Sequence, residues 1–341
     1  MINMQIANAL KRTLYAFNKK HLHVTEIALL QTAPLPDQVV ISFEDALLTP
    51  TNHLFVNGKY IRTGLIAGND LRSLSYFQRT YLFVKSRFFI TNKTHKISSL
   101  WAYDSWSNNY YHWFNEVLPR LFLLNQRIGN SIALLPFELS KISFIVDSLE
   151  LLKIHYTCID KKVTNRFDSL SVLHTSTLRP DINPFLQKQL REAIFSALNI
   201  VEVQKPFRRI YISRENARYR KIVNERELLP LLREHGYEII YPEKKSFIEQ
   251  VMLFSESKAL ISIHGAALTN CMFMNKESKV MEIRNAEWNS QPLCFWELAN
   301  IFELKWEYIE AQPVGLVSNF NDIYIPFHKF KEVLLEFETL E

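Results

Sequence analysis

From residue 208 onward the chain alternates short apolar runs with longer amphipathic stretches, and few architectures accept that rhythm. Apolar runs over 208–212, 237–241, 259–263, 279–283 and 304–309 read as strands. Helical patterns fill the gaps over 225–235, 247–257 and 293–300. Gly236 closes the first of these helices. Ser246 caps the second, with Glu249 three residues on as its capping-box partner. Strands alternating with helices of about ten residues predict a parallel sheet covered on both faces.

The earlier chain is less regular. Strands are expected over 39–43, 81–84, 87–90, 142–146 and 170–173, and helices over 112–126 and 184–198. In the 112–126 stretch Trp113, Val117, Leu118, Leu121 and Leu124 follow the helical period. A cut just before the regular alternation gives an N-terminal domain over 1–204 and a second domain over 205–326. The amphipathic helix expected over 327–341 would return to the first domain. At 341 residues two compact domains are the natural expectation.

Composition excludes several classes. Hydrophobic residues make up 48% and charged residues 22%, which is globular. A net charge of +5 suits an anionic ligand or membrane face but is too dilute for a nucleic-acid binder. Cys158, Cys271 and Cys294 are widely spaced and do not form a disulfide framework or zinc motif. No apolar run is long enough to span a bilayer, and residues 1–20 lack a signal-peptide core. The expectation is a cytoplasmic protein, with a basic helix over 6–17 offering peripheral contact with the membrane's inner face.

Ligands in open α/β sheets gather beyond the carboxyl ends of the strands. Two such ends here are polar. One is Ser213-Arg214-Glu215-Asn216-Ala217-Arg218-Tyr219-Arg220, and the other is His264-Gly265-Ala266-Ala267-Leu268-Thr269-Asn270. Small residues at a helix N-terminus let backbone N–H groups approach phosphate, and arginines grip it with a planar fork. Each feature alone also fits tight packing or a solvated face. Together they favour an anionic ligand.

These residues also carry a resemblance. Ser213-Arg214, Ala217, Arg220, Asn224-Glu225, Glu249-Gln250, His264-Gly265-Ala266, Thr269-Asn270, Phe273-Met274 and Glu282 resemble, in order, the signature of glycosyltransferase family 61. His112-Trp113, Glu116 and Leu118-Pro119-Arg120 resemble that family's other block, so the likeness covers about 100–285. It implies a GT-B-like α/β fold, two Rossmann-like domains facing across a cleft. It further implies a nucleotide-diphosphate sugar donor as substrate, inversion at the anomeric carbon, and no cofactor or divalent metal. The lack of an Asp-x-Asp agrees with the last point.

On that reading Arg214, Ser213 and the backbone of Gly265, Ala266 and Ala267 clamp the diphosphate, with Arg220 second. Thr269 and Asn270 bond phosphate or cap the short helix. His264 contacts phosphate or sugar, or is a buried strand-end histidine. Gln250 reaches the base or ribose, and Glu282 takes the ribose hydroxyls. The general base comes from the other domain. It is Glu116, or His112 oriented by Glu116 four residues on, with Asp104 third. Trp106, Tyr110, Tyr111 and Arg120 are expected on the acceptor side, within an aromatic stretch that also holds Trp101 and Tyr103. The expected partner is a glycan or lipid-linked acceptor of capsule or lipopolysaccharide. The competing reading is a non-catalytic, nucleotide-sugar-binding partner in a polysaccharide assembly.

Overall fold

The computed structural model describes residues 22–23, 39–50, 52–57, 59–61, 77, 80–81, 84, 92–174, 182–201, 205–287, 292–315 and 320–339. They form two mixed α/β units. One takes the described residues of Met1–Asn108 with Val117–Ile142 and Lys153–Asp181. The other takes Asn109–Glu116, Ser143–Leu152 and the described residues of Ile182–Glu341. The chain thus passes between units several times, whereas the sequence suggests one cut at 204/205. The cause is aromatic packing within the second unit. Phe114 stacks on Phe247 at 4.9 Å and meets Phe273 edge-on at 6.4 Å, residues more than 130 positions away. Local periodicity cannot report such a contact.

The first unit holds β1 (Leu22–His23), β2 (Val39–Leu48), β3 (Leu54–Val56), β4 (Lys59–Ile61), β5 (Asn92–Leu100), β6 (Ile132–Pro136), β7 (Tyr156–Ile159) and β8 (Thr164–His174). Their order is β4-β3-β2-β8-β5-β6-β7, with β1 beside β2. The β8, β5, β6 and β7 neighbours run parallel, and the β2, β3 and β4 side is an antiparallel extension. Ala46, Phe55, Leu100, Phe167 and Leu170 form part of its buried core.

One continuous helical run links α1 (Tyr110–His112), a π turn (Trp113–Val117) and α2 (Leu118–Arg127). Pro119 has no N–H to give the preceding turn, and the ladder widens just before it. Trp113, Val117, Leu118, Leu121 and Leu124 are all buried, as their spacing predicts.

Strand and helix alternate in the second unit as the sequence predicts. The strands are β9 (Arg208–Ile212), β10 (Tyr237–Ile240), β11 (Ser257–Ile263), β12 (Lys279–Asn285), β13 (Lys305–Val314) and β14 (Asp322–Tyr324), in the order β10-β9-β11-β12-β13-β14. All neighbours are parallel except β14 on β13. The helices are α3 (Ser143–Leu151), α4 (Pro184–Ala197), α5 (Glu225–Glu234), α6 (Phe247–Ser255), α7 (Cys294–Ile301) and α8 (Phe327–Thr339). The Ser246–Glu249 capping box is formed in both directions at α6. Gly236 follows α5 at φ +75°, where a side chain would be strained.

Several expectations change. Residues 142–146 are not a strand. Four apolar residues in five fit a buried helix turn equally well, and Ser143 opens α3 there. The strand in this region is β6, ten residues earlier. Tyr81 and Val84 are helical, and 87–90 and the basic helix over 6–17 lie outside the described residues. Helix α8 packs on α5 and β13 of its own unit. Its Phe330, Leu334 and Phe337 join Tyr211, Leu228, Leu232, Met281 and Ile283 in one core, which corrects the expected return to the N-terminal part.

Candidate functional site

The carboxyl ends of β9 and β11 bring the two polar turns together. Ser213, 2% exposed, donates its hydroxyl hydrogen to Glu225 Oε2 at 2.9 Å, while Tyr211 donates to Oε1 at 2.7 Å. This buried network fixes where the loop leaves the strand. Arg214 then turns back. Its Nε donates to the Arg220 carbonyl at 3.2 Å and its Nη2 to the Tyr219 carbonyl at 3.0 Å. Arg220 sits at φ +57° and reaches the His264 carbonyl through Nη1 at 3.1 Å. A Cβ on Gly265 would lie 2.8 Å from Arg214 Nη1. Glycine here lets the guanidinium lie against the backbone, and a side chain would displace it. Its φ is 175°, so no backbone strain is involved.

Both arginines are partly desolvated. Burial, then repulsion from Arg220, lowers the Arg214 pKa, with Glu243 opposing. Burial likewise lowers that of Arg220. Two cations drawn together at one turn favour an anion between them.

Directly behind the turn His264 Nδ1 bonds Glu282 Oε1 at 2.5 Å. Arg284 Nη1 reaches the same oxygen at 3.2 Å, and Trp306 Nε1 donates to Oε2 at 3.2 Å. Glu282 is fully buried. Its two oxygens serve protein donors, so the expected contact with ribose hydroxyls gives way to an anchoring role. Burial outweighs Glu282 and lowers the His264 pKa, so the ring is neutral at pH 7.

A 3-10 helix of 8 residues, Ala266–Phe273, follows Gly265. Asn270, wholly buried, accepts from the Tyr110 hydroxyl at 2.8 Å and donates to Gln250 Oε1 at 2.9 Å. Gln250 in turn holds the Pro242 and Lys245 carbonyls at 3.2 Å. These side chains brace the site wall, and Gln250 is committed to the turn instead of reaching outward. The Thr269 hydroxyl is buried with no hydrogen-bond partner among the described residues. Beside them lies a cavity of about 450 Å³, lined by Tyr110, Phe144, Ser213, Arg214, Phe247 and Ala267 among others. That volume suits a small ligand. The sequence reading put Tyr110 with the acceptor and missed Phe144 and Phe247, whose apolar positions look like any core residue.

His112 and Glu116 form the predicted pair, with Nδ1 to Oε1 at 2.9 Å. A carboxylate oxygen only accepts, so Nδ1 carries the hydrogen and Nε2 the lone pair. The side chains are 23% and 7% exposed. Glu116 Oε2 is buried without a hydrogen-bond partner among the described residues. The pair belongs to the same unit as the two turns, not to the other one. Tyr111 meets His112 edge-on at 5.2 Å and Phe295 at 5.5 Å, and Phe295 meets His264 at 5.0 Å. One line of rings thus joins both His–Glu pairs. Cys294 bonds the Tyr111 hydroxyl, and burial pushes its thiol up to about 12. Nothing in the spacing of Cys294 or Phe295 signals this.

Asp104, Trp106 and Arg120 belong to the other unit. Asp104 is buried and closes a tight turn, accepting from the Ser107 hydroxyl at 2.9 Å and the Trp106 N–H at 2.8 Å. Trp106 is 41% exposed and Arg120 buried, while Trp101 and Tyr103 are core. Among the described residues no group of three or more His, Cys, Asp or Glu side chains is placed to hold a metal ion.

A family model described as Glycosyltransferase 61 matches residues 110–281, half of the chain. The EGF domain-specific O-linked N-acetylglucosamine transferase of Drosophila melanogaster is 33% identical over 112 residues, 32% of this chain. The matched stretch is 21% of that protein's length. Both π turn and strand-end turns fall inside the family match.

Proposed function

Because the chain belongs to glycosyltransferase family 61, we propose that it moves a sugar from a nucleotide-diphosphate donor to a glycan or glycolipid, with inversion and without a metal ion. Arg214, Arg220 and the backbone N–H groups of Ala266 and Ala267, the first of a helix and so without intrahelical partners, hold the diphosphate. The cavity beside Tyr110, Phe144 and Phe247 takes the nucleoside. His112 Nε2 accepts the proton of the acceptor hydroxyl, whose oxygen bonds to the anomeric carbon. The carbon–oxygen bond to the diphosphate breaks, and the electron pair leaves with it. Glu116 stabilises the imidazolium that forms, and Glu282 holds His264 at the turn. Ser213 acts through the loop geometry that Glu225 sets.

The observation that carries this reading is the Arg214 guanidinium, held by two carbonyls against a glycine at the cavity wall. Titration calorimetry in EDTA with uridine, guanosine and adenosine diphosphates tests it. One nucleotide class should bind without metal, and Arg214→Ala should weaken it roughly 10- to 100-fold. Binding only after a divalent ion is added, or unchanged by the substitution, would refute the clamp. For the acceptor, the resemblance favours a bacterial capsule or lipopolysaccharide glycan made at the cytoplasmic face. The Drosophila relative's name instead suggests N-acetylglucosamine and an EGF domain. Transfer assays with both acceptor kinds separate these, and transfer to neither while the nucleotide binds would favour the assembly-partner reading.

A further inference from the structure

Arginine and aromatic side chains meet a second time on the rim of the Arg214 loop. Tyr219 and Phe320 lie 5.3 Å apart, tilted by 53°, although residues 219 and 320 come from separate segments. They remain 42% and 54% exposed. Large apolar rings usually leave water, so a paired, exposed set beside a ligand turn calls for an occupant. Cations border it on two sides. Arg218 lies over the Tyr219 ring at 5.0 Å, and Arg220 over Phe320 at 5.8 Å.

The group is tied to the diphosphate clamp by short covalent and hydrogen-bonded steps. The Tyr219 carbonyl holds Arg214, and Arg220 reaches the His264 carbonyl. Arg218 is exposed and pairs with no carboxylate among the described residues, while the neighbouring Glu215 is engaged by Arg226 at 3.7 Å. Aromatic surface suits the apolar face of a pyranose ring, and a guanidinium suits a carboxylate. A neutral sugar would leave the arginine's charge unmatched, and a bare phosphate would not use the rings.

We propose that Tyr219, Phe320 and Arg218 form a subsite for an acidic sugar residue, a uronic acid, of the acceptor glycan. The proposal rests on the glycosyl-transfer reading above and gives it a substrate class. The side chains act by stacking and charge pairing and take no part in bond making.

The test uses the full chain and two probes, a glucuronic-acid-containing oligosaccharide and the same oligosaccharide with its carboxyls reduced to alcohols. Binding is followed by saturation-transfer NMR and calorimetry. The acidic probe should bind about tenfold more tightly than the reduced one. Arg218→Ala should abolish that difference, whereas Tyr219→Ala and Phe320→Ala should weaken both probes a few-fold. Nucleoside diphosphate affinity should stay constant in Arg218→Ala, and the melting temperatures of all three variants check their folding. Equal binding of the two probes, or variants that bind both like the native chain, would overturn the subsite. If the acidic probe behaves as expected but no nucleotide binds, the donor reading falls and the subsite stands.

Discussion

The second unit contains two histidine–glutamate pairs of the same chemistry and opposite setting. His264–Glu282 is buried to the last oxygen, with Arg284 and Trp306 completing the carboxylate's partners. His112–Glu116 has a partly exposed ring and a carboxylate oxygen left without a partner among the described residues. A proton acceptor must reach its substrate and tolerate a change of charge. A fixed anchor must do neither. Burial therefore separates two pairs that residue type leaves alike, and it supports the roles proposed for them, an anchor at the turn for the first and proton transfer for the second.

The sharpest way to break this contrast is to remove the imidazoles one at a time. His112→Ala should lower kcat by about 10²–10⁴ while leaving the melting temperature nearly unchanged. Nucleotide affinity should also hold, since His112 lines no part of the described cavity. Glu116→Gln should produce a smaller loss of kcat, as the amide still accepts from Nδ1. A His112→Ala enzyme with full turnover would move the base elsewhere and dissolve the comparison.

The anchoring pair should fail in the opposite manner, through stability. Glu282→Ala strips three donors of their acceptor and leaves Arg284 charged in a nearly buried position. Removing one partner of such a network costs about 3–5 kcal/mol, read as a drop in denaturant midpoint. Glu282→Gln should cost less, because one carbonyl oxygen remains. A Glu282→Ala chain that unfolds at the native midpoint would mean the network is not structural.

How much of this was visible beforehand follows from range. Strand–helix alternation after 208 is local and was legible to within a few residues, as were the capping box and α8. Burial was less so. The run over 142–146 has no period to distinguish helix from strand, and the π turn depends on where Pro119 falls in a helix already begun. In the site, His264, Gly265, Arg214 and the His112–Glu116 spacing stood out as polar groups at strand ends or one helical turn apart. What those side chains touch was not legible. Glu282 looked like a ribose ligand because an acid at a strand end usually faces solvent, and the Trp306 and Arg284 contacts that hold it inside come from elsewhere. Tyr110 looked like a sugar platform for the same reason, until its hydroxyl is found on Asn270.

The smallest effect expected reads the buried pair through its proton binding. Burial is the leading cause of the lowered His264 pKa, and Arg220 and Arg284 reinforce it, while Glu282 opposes. The folded value thus lies below the unfolded one of about 6.5. Between those two values the unfolded chain binds the proton and the folded chain does not, so unfolding gains as pH falls. Stability is complete above about pH 6.5 and declines as the pH drops through the folded value, by about 1.4 kcal/mol per unit separating the two. Urea unfolding at several pH values between 5 and 7.5 should show this slope in the native chain and a shallower one in His264→Gln. A slope as steep in His264→Gln as in the native chain would mean that burial of His264 does not set it.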